Sequence, residues 1–443
     1  MAAHWTLPAE VEGWIKRMAA VLHQASSWRL APLLVGLLFA KGRKTIASWL
    51  RGGGLSADYQ DYYYFLGSLG RKVKAVATLL LGEAIRRVPL PERLVFGIDD
   101  TPTKRYGPNV QGAGIHHNPT PGPTDQKFLY GHVWVTISWL VRHSSWGTIG
   151  LPLLAYLYVR RKDLVKLPRT AAWKFQTKLQ MAGELVQCVA DSLRNLGKKL
   201  WAVVDGGYAK KVFLAAARKA QVIVVSRLRH DAALRDVPGP RRPGQRGRPR
   251  QYGAKRISLA KRAGQRRGWL SGTFGLYNKT EVKHYKTFLA TYRPAGGLIR
   301  VVLVKEGSGW IAWFCTKADA TAAEILEAVA DRAAIEQDFH DVKEVHGAGQ
   351  PQLRYVWANV AAFNLTLWWH TLIELWAWAK PQRAICDRSA SPWDDASRRP
   401  SHADRRKALQ RECLQTEFRR AQAGVPLTRK IRKMFDRLQR LAA

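Results

Sequence analysis

Residues 94–101 read LVFGIDDT, a short apolar run that ends on two adjacent carboxylates. An apolar run of this length, with β-branched and aromatic members, is typical of a buried strand. The pattern predicts a strand over residues 94–98 with Asp99 at its end. Active-site groups of α/β folds collect where strands end, so Asp99 is a candidate functional residue.

A second stretch, LWAVVDGGY at residues 200–208, has the same arrangement of an apolar strand followed by an aspartate. Asp205 precedes a glycine pair, so it could also be a simple turn residue. From residue 94 to residue 228 the patterns predict the order β-β-β-α-β-α-β. This order indicates an α/β sheet with helices on its faces.

Residues 331–343, DRAAIEQDFHDVK, predict a helix with mixed charge on one side. At about 100° per residue, Glu336 and Lys343 lie within roughly 20° of each other, with Arg332 about 40° away. On an isolated helix, a solvated salt-bridge face is the commoner explanation. Other nearby carboxylates point away from this side and are expected to be solvated or capping charges: Asp331, Asp338 and Asp341.

The composition indicates a globular protein that binds a polyanion. The 443 residues are 47% hydrophobic, and 72 Lys and Arg against 33 Asp and Glu give a formal charge of +39. The basic residues are spread through the folded sequence, which favours nucleic acid over a membrane surface. The most apolar segment, residues 359–379, contains Asn364, His370 and Glu374, so it is expected to be a buried helix. Four well-separated cysteines and no visible signal peptide favour a soluble protein of a reducing, cytoplasmic compartment.

Composition shifts divide the chain into five segments. Residues 1–90 predict helices and 228–318 a basic, mostly β insertion, and 381–443 predict a helical segment with a basic terminal helix at 428–441. The stretches at 91–227 and 319–380 would then be two parts of one α/β core. A basic region before a glycine turn at residues 52–54 is compatible with a helix-turn-helix-like DNA reader, and a plain helical subdomain is the alternative.

Two clusters of basic residues are candidate DNA contacts. The first, in the N-terminal region, contains Lys41, Arg43 and Lys44. The second lies in the sequence RGRPR of the insertion, which resembles the core of an AT-hook that enters a narrow minor groove. A basic loop that touches phosphates without sequence preference is the favoured explanation. Its candidate residues are Arg246, Arg248 and Arg250.

Three carboxylates without a histidine or cysteine partner suit a hard divalent cation such as magnesium. Two such ions about 3.5–4 Å apart can ready a water or hydroxyl for in-line attack on phosphorus. The carboxylates would be Asp99, Asp205 and Glu336. Arg332 and Lys343, beside Glu336, would then hold the phosphate backbone of the substrate.

Three motifs in this order resemble those of DDE transposases of the prokaryotic insertion-sequence type. They are D-x-T in GIDDT, D-x-G-Y in VVDGGY, and Y-x2-R-x3-E-x6-K in VADRAAIEQDFHDVK. The resemblance implies a ribonuclease-H-like catalytic core interrupted by a β-rich insertion. It further implies an N-terminal helical DNA-binding domain and a helical C-terminal segment.

The resemblance also implies roles for individual residues. Asp99, Asp205 and Glu336 would bind two Mg²⁺ ions, for which Mn²⁺ can substitute, and Arg332 and Lys343 would contact DNA near the cut end. The first aspartate of D-x-T is the ligand in this family, which favours Asp99 over Asp100. Val329 replaces the expected tyrosine, which leaves open whether a hairpin route that uses this tyrosine operates.

The sequence therefore predicts a transposase that binds the terminal inverted repeats of its element, cleaves there, and joins the 3′-OH ends to target DNA. Cutting two ends together implies at least a homodimer on double-stranded DNA. The expected location is the cytoplasm of a prokaryote, in association with its nucleoid. A hydrolysis-only nuclease of the same fold is one alternative, which the insertion and the N-terminal helices disfavour. A transposase-derived DNA-binding protein is another, which the presence of all three carboxylates disfavours.

Overall fold

The structure is a computed structural model that describes residues 5–55, 57–118, 126–241, 244, 246–386, 388, 393–395, 397–421, 428 and 431. Apart from residues 428 and 431, the basic terminal helix expected at 428–441 lies outside the described part of the chain. All four cysteines are free.

The N-terminal region is helical, as predicted. Its helices are α1 (Ala9–Ala19), α2 (Gln24–Ser27), α3 (Leu30–Phe39), α4 (Ile46–Gly52), α5 (Tyr59–Gly70) and α6 (Val73–Arg87). The hydroxyl of Thr45 caps α4 by accepting from the Ser48 amide. Helices α3 and α4 can cross in close contact because Gly36 has no side chain. A Cβ at this position would overlap the backbone of Trp49. Except for the short α2, which buries no residue, these helices contribute apolar side chains to the main core of the molecule.

The sheet begins with the predicted order of strands and helices, apart from an additional short strand at Gly114–His117, between the first two predicted strands. Its first elements are β1 (Arg93–Lys104), β2 (Gly114–His117), β3 (Phe128–His143), β4 (Gly147–Tyr158), α7 (Lys178–Leu193), β5 (Lys199–Val204), α8 (Lys211–Lys219) and β6 (Ile223–Arg227). Strands β4, β3 and β1 form an antiparallel meander, and β1, β5 and β6 are parallel. The resulting order β4-β3-β1-β5-β6 agrees with the ribonuclease-H-like core expected from the sequence.

The first strand is longer than predicted. The sequence suggested that it ends before Asp99, but β1 continues to Lys104. The parallel ladder with β5 ends at the pair Ile98 and Val204, whereas the antiparallel ladder with β3 continues to Lys104. Asp99 therefore lies within β1, at the point where its neighbour on one side stops.

The insertion is mostly β structure, as predicted, and it extends the same sheet. It contains β7 (Leu234–Arg235), β8 (Arg256–Ile257), α9 (Leu259–Gly264), β9 (Leu270–Leu276), β10 (Lys279–Tyr292), β11 (Gly297–Glu306) and β12 (Gly309–Cys315). Strand β12 pairs antiparallel with β6, and the sheet continues through β11 and β10 to β7 and β8.

The chain then returns to the core as helices. These are α10 (Ala322–Asp331), α11 (Ala333–Glu344), α12 (Val356–Ala377), α13 (Gln382–Ile385) and α14 (His402–Ala421). The single helix expected over residues 331–343 is instead two helices that meet at Arg332, whose amide donates to the Val329 carbonyl. Nearly all of α12 is buried, as expected for the apolar segment. No helix among the described residues is long and apolar enough to cross a membrane.

Candidate catalytic site

Asp99 and Asp205 lie side by side because they follow the last residue pair of the parallel β1–β5 ladder. Adjacent strands are about 4.8 Å apart, so both carboxylates reach the same space. The Asp99 side chain is 20% exposed, and burial raises its pKa although Arg332 opposes the shift. Asp205 is exposed, and its Oδ2 accepts from the Gly207 amide at 3.2 Å, so the glycine turn holds this carboxylate.

Glu336 reaches this space because α11 packs directly on β1. A Cβ at Gly97 would overlap the Ile335 side chain, so only glycine allows the helix to lie this close to the strand. Ile335 is buried in an apolar cluster with Val95 and Val203, and the next residue, Glu336, turns to the open side. Its side chain is 71% exposed. The pair Gly97 and Ile335 therefore sets how near Glu336 lies to the strand aspartates.

Arg332 connects two of the carboxylates. Its guanidinium forms an ion pair with Asp99 Oδ2, and its Nη1 lies 3.8 Å from Glu336 Oε1. The helical periodicity placed Arg332 beside Glu336, but it gave no sign of the contact with Asp99. A positive charge thus lies between Asp99 and Glu336, where it offsets the repulsion between them.

Asp99, Asp205 and Glu336 line one cavity of about 1540 Å³, which we call the catalytic cavity because it is the candidate site. Cationic residues line it too: Arg43 from the loop before α4, Arg332, and Lys343 on α11. Lys343 is half-buried, and burial lowers its pKa. A cavity with an acidic floor and basic walls can hold metal ions next to a phosphodiester.

Comparison with known families agrees with this arrangement. A family model described as a DDE superfamily endonuclease matches residues 17–271, which is more than half of the chain. The chain belongs to the DDE superfamily of endonucleases. A second model, described as a transposase DDE domain, matches residues 183–372 of this DDE transposase. Asp99 falls in the first match, Glu336 in the second and Asp205 in both. A search of curated proteins finds no match to the chain.

These matches confirm the predicted family and the enzyme class, a DDE transposase with nuclease activity. Transposase families act on DNA, and DDE domains generally use divalent metal ions. The origin of this transposase in a prokaryotic insertion sequence stays a prediction.

The N-terminal basic residues of the transposase have different surroundings. The Arg43 guanidinium lies 5.9 Å from the centre of the Tyr106 ring, and both residues line the catalytic cavity. Lys41 is exposed. The Lys44 ammonium donates to the Ala40 carbonyl, and burial, followed by the charge of Arg406, lowers its pKa to about 8. Arg43 is therefore the member of this cluster best placed to meet DNA at the site.

The structure does not bring Arg246, Arg248 and Arg250 to the catalytic cavity. All three are exposed in the segment between β7 and β8. Strand β8 is seven strands from β1 in the sheet order, a separation of roughly 34 Å at the usual strand spacing. Any DNA contact of these arginines therefore lies away from this cavity.

Asp100 has partners of its own on the other side of β1. Lys178 Nζ donates to its Oδ2 at 2.6 Å, and the Tyr208 hydroxyl donates to its Oδ1 at 2.9 Å. Both oxygens of Asp100 are thus paired with Lys178 and Tyr208, whereas Asp99 pairs with Arg332 beside Glu336, which supports the choice of Asp99. Tyr208, the tyrosine of the D-G-G-Y motif, was visible in the sequence. The sequence does not reveal to which aspartate its hydroxyl donates a hydrogen bond.

Three aspartates around Glu336 are buried rather than solvated, so that expectation was wrong. Asp331 pairs with Arg142 at 3.1 Å. Asp338 is 2% exposed and lies against Gly150, where any Cβ would overlap its carboxylate. Asp341 is also buried and accepts from Gln337 at 3.0 Å. Helical periodicity had correctly directed them away from Glu336, but it could not show that β4 and α12 cover that side.

Val329, at the position of the expected tyrosine, is half-buried against the apolar cluster that contains Ile335. It lies on α10 and not on the helix of Glu336. The break at Arg332 therefore separates this position from the helix that carries Glu336.

Proposed function

We propose that this transposase binds the terminal inverted repeats of its own prokaryotic insertion sequence. It cleaves the element ends by metal-dependent hydrolysis and joins the freed 3′-OH ends to target DNA. The observation that carries the proposal is the convergence of Asp99, Asp205 and Glu336 on one cavity with basic walls. Hydrolysis and strand joining are the same in-line displacement with different nucleophiles, so one site serves both reactions.

The carboxylates fit divalent cations. Asp99, Asp205 and Glu336 offer only oxygen ligands, which magnesium prefers, and the Arg332 guanidinium already occupies a position between Asp99 and Glu336 that attracts positive charge. We propose two Mg²⁺ ions, with Mn²⁺ as a substitute. Held by these carboxylates, the ions would supply activation of the attacking water or hydroxyl and charge stabilisation at the leaving oxygen.

The cationic side chains position the DNA backbone. A phosphate is an alternative partner for the Arg332 guanidinium, because arginine binds phosphate as well as carboxylate in a bidentate manner. If Arg332 binds a phosphate instead of Asp99, Asp99 Oδ2 becomes available as a metal ligand. Lys343 and Arg43, on the walls of the same cavity, would hold the strand on either side of the reacting phosphate.

More distant regions would bind the rest of the DNA. We assign the N-terminal helices, residues 1–90, and the insertion, residues 228–318, to binding the element end, and residues 91–227 and 319–380 to the catalytic core. We assign residues 381–443 to a C-terminal segment, whose described part contains α13 and α14. Arg246, Arg248 and Arg250 are exposed and would contact phosphates of the flanking duplex. Because two ends must be cut together, the working complex contains at least a homodimer, formed on DNA in the cytoplasm at the nucleoid.

A strand-joining experiment tests this function. The DNA that flanks the gene is searched for inverted repeats, and a labelled duplex carrying them is incubated with the protein, Mg²⁺ and a target plasmid. We expect cuts at the repeat boundary and labelled 3′ ends joined to the plasmid. Cleavage without any joined product would favour the hydrolysis-only nuclease. Tight binding without cleavage would favour the DNA-binding protein.

A further inference from the structure

A group of histidines lies deep in the molecule, away from the catalytic cavity. One ring nitrogen from each of His346, His370 and His402 lies within 4.8 Å of the other two. His346 follows α11, His370 lies in α12, and His402 begins α14. None of the three is more than 3% exposed. Residues far apart in sequence thus bring three imidazoles together in the core.

The hydrogen bonds of His402 direct one of its nitrogens toward His346. His402 Nδ1 donates to Glu374 Oε1 at 2.6 Å, because a carboxylate oxygen can only accept. In the neutral ring Nε2 then carries a lone pair, and it faces His346 Nε2 at 2.7 Å. Arg405 Nη1 holds Glu374 in place at 2.8 Å. A carboxylate behind a histidine is the arrangement that orients histidines bound to metal ions.

Several buried polar atoms of this group have no hydrogen-bond partner among the described residues. They include Nδ1 of His346, Nδ1 of His370 and Oδ2 of Asp338. Leaving such groups unpaired in the core is costly. A metal ion bound by these nitrogens would satisfy them, since imidazole nitrogen is a common metal ligand.

A path from solvent reaches the group. A cavity of about 460 Å³ is lined by His370, His402 and Asp338, and also by the exposed residues Gln337 and Arg398. Asp338 Oδ1 lies 3.8 Å from His370 Nε2. An ion that enters through this cavity meets His370, His402 and Asp338, and His346 Nε2 lies 2.7 Å from His402 Nε2.

We propose that His346, His370 and His402 bind a zinc ion that fastens the start of α14 and the end of α11 to α12. Zinc favours three or four nitrogen and oxygen ligands in tetrahedral geometry, and Asp338 or water completes the set. The rings of His370 and His402 are parallel, with centroids 3.8 Å apart. Because imidazole lone pairs lie in the ring plane, binding turns the His370 ring out of this stack.

This ion is distinct from the catalytic cations. The catalytic carboxylates present oxygen to hard ions, whereas the histidines present nitrogen, which zinc prefers over magnesium. Its effect on the reaction is indirect, since α11 also carries Glu336 and a loose end of α11 would let that carboxylate move. Nearby cations oppose added positive charge. They are Arg405, which pairs with Glu374, and Arg406 and Lys44, which lie near His346. We therefore expect strong chelators to remove the ion.

Elemental analysis of the full-length chain, purified without a histidine tag and in excess Mg²⁺, tests the proposal. We expect about one zinc per chain. His402→Gln should reduce the zinc content at least about tenfold, and His132→Gln, at a buried histidine outside the group, should retain it. Equal zinc in the native chain and His402→Gln would overturn the proposal.

A second measurement uses only the native chain, in case the variants fail to fold. After treatment with EDTA, added zinc should raise Tm by several degrees, and cobalt in its place should give the visible absorption of a tetrahedral site. A native chain that is purified without zinc and whose Tm does not respond to added zinc would overturn the proposal. In that case Glu374, His402 and His346 form a hydrogen-bonded relay with no metal ion.

Discussion

At the residue scale, the adjacent aspartates Asp99 and Asp100 should behave differently when each is replaced by asparagine. Asp99→Asn removes a carboxylate of the catalytic cavity and should lower the cleavage rate by about 10²-fold or more, as loss of a main electrostatic group does. Asp100→Asn weakens the pair with Lys178 and Tyr208. Because that pair is partly exposed, it should cost about 1 kcal/mol of stability. Cleavage rates and urea unfolding of both variants check this prediction. Equal cleavage rates in Asp99→Asn and Asp100→Asn would contradict it.

His132 should make stability fall at acidic pH. It is fully buried, its Nδ1 accepts from Arg105 at 2.9 Å, and burial and the charge of Arg105 lower its pKa well below the ordinary value. The unfolded chain takes up this proton near pH 6.5 and the folded chain does not, so the free energy of unfolding decreases below that pH. From pH 7.5 to 5.5 this histidine should contribute a loss of about 1.4 kcal/mol.

Urea unfolding at the two pH values measures this loss in the native chain and in His132→Gln, which keeps a donor and an acceptor. The decrease should be smaller in the variant by about the same 1.4 kcal/mol. An identical decrease in both chains would show that His132 is not the group that titrates.

At the element scale, the contact of α11 with β1 controls the position of Glu336. Gly97→Ala adds a methyl group against Ile335 and should cost about 1–3 kcal/mol of stability. It should also lower cleavage about tenfold or more, because small displacements of a catalytic group are costly. Gly275→Ala in β9, where a Cβ meets nothing within 4 Å, is the matched control and should change stability by less than about 0.5 kcal/mol. Full activity in Gly97→Ala would contradict this role of the contact.

The elements also show how far the sequence could predict this structure. The apolar runs before Asp99 and Asp205 correctly predicted two strands, because both strands are buried on both faces. The extension of β1 to Lys104 depends on pairing with β3, a partner distant in sequence. The break at Arg332 falls where the sequence has neither glycine nor proline to mark it. Burial of Asp338 depends on Gly150, and the periodicity of one helix carries no information about it. The meeting of His346, His370 and His402 was equally hidden, since they are separated by 24 and 32 residues.

At the scale of the whole molecule, the net charge of +39 should make DNA binding strongly dependent on salt. Replacement of Arg246, Arg248 and Arg250 by alanine should make the plot of log binding constant against log salt concentration less steep. The slope should change by about 2–3 if each arginine contacts one phosphate. The cleavage rate of saturated complexes should stay unchanged, because these residues lie far from the cavity. Binding titrations at several salt concentrations and single-turnover cleavage measure both quantities. An unchanged slope would show that this segment does not touch DNA.

Asp99, Asp205 and Glu336 should act together as one catalytic site that cuts DNA with divalent cations. The most direct measurement compares Glu336→Gln with Glu92→Gln, an exposed glutamate just before β1 and outside the cavity, in cleavage of a plasmid carrying the DNA that flanks the gene. With Mg²⁺ or Mn²⁺ present, the native chain and Glu92→Gln should cut at the element boundary, and Glu336→Gln should cut about 10²-fold more slowly or not at all. Equal cutting by Glu336→Gln would contradict the assignment of the third carboxylate.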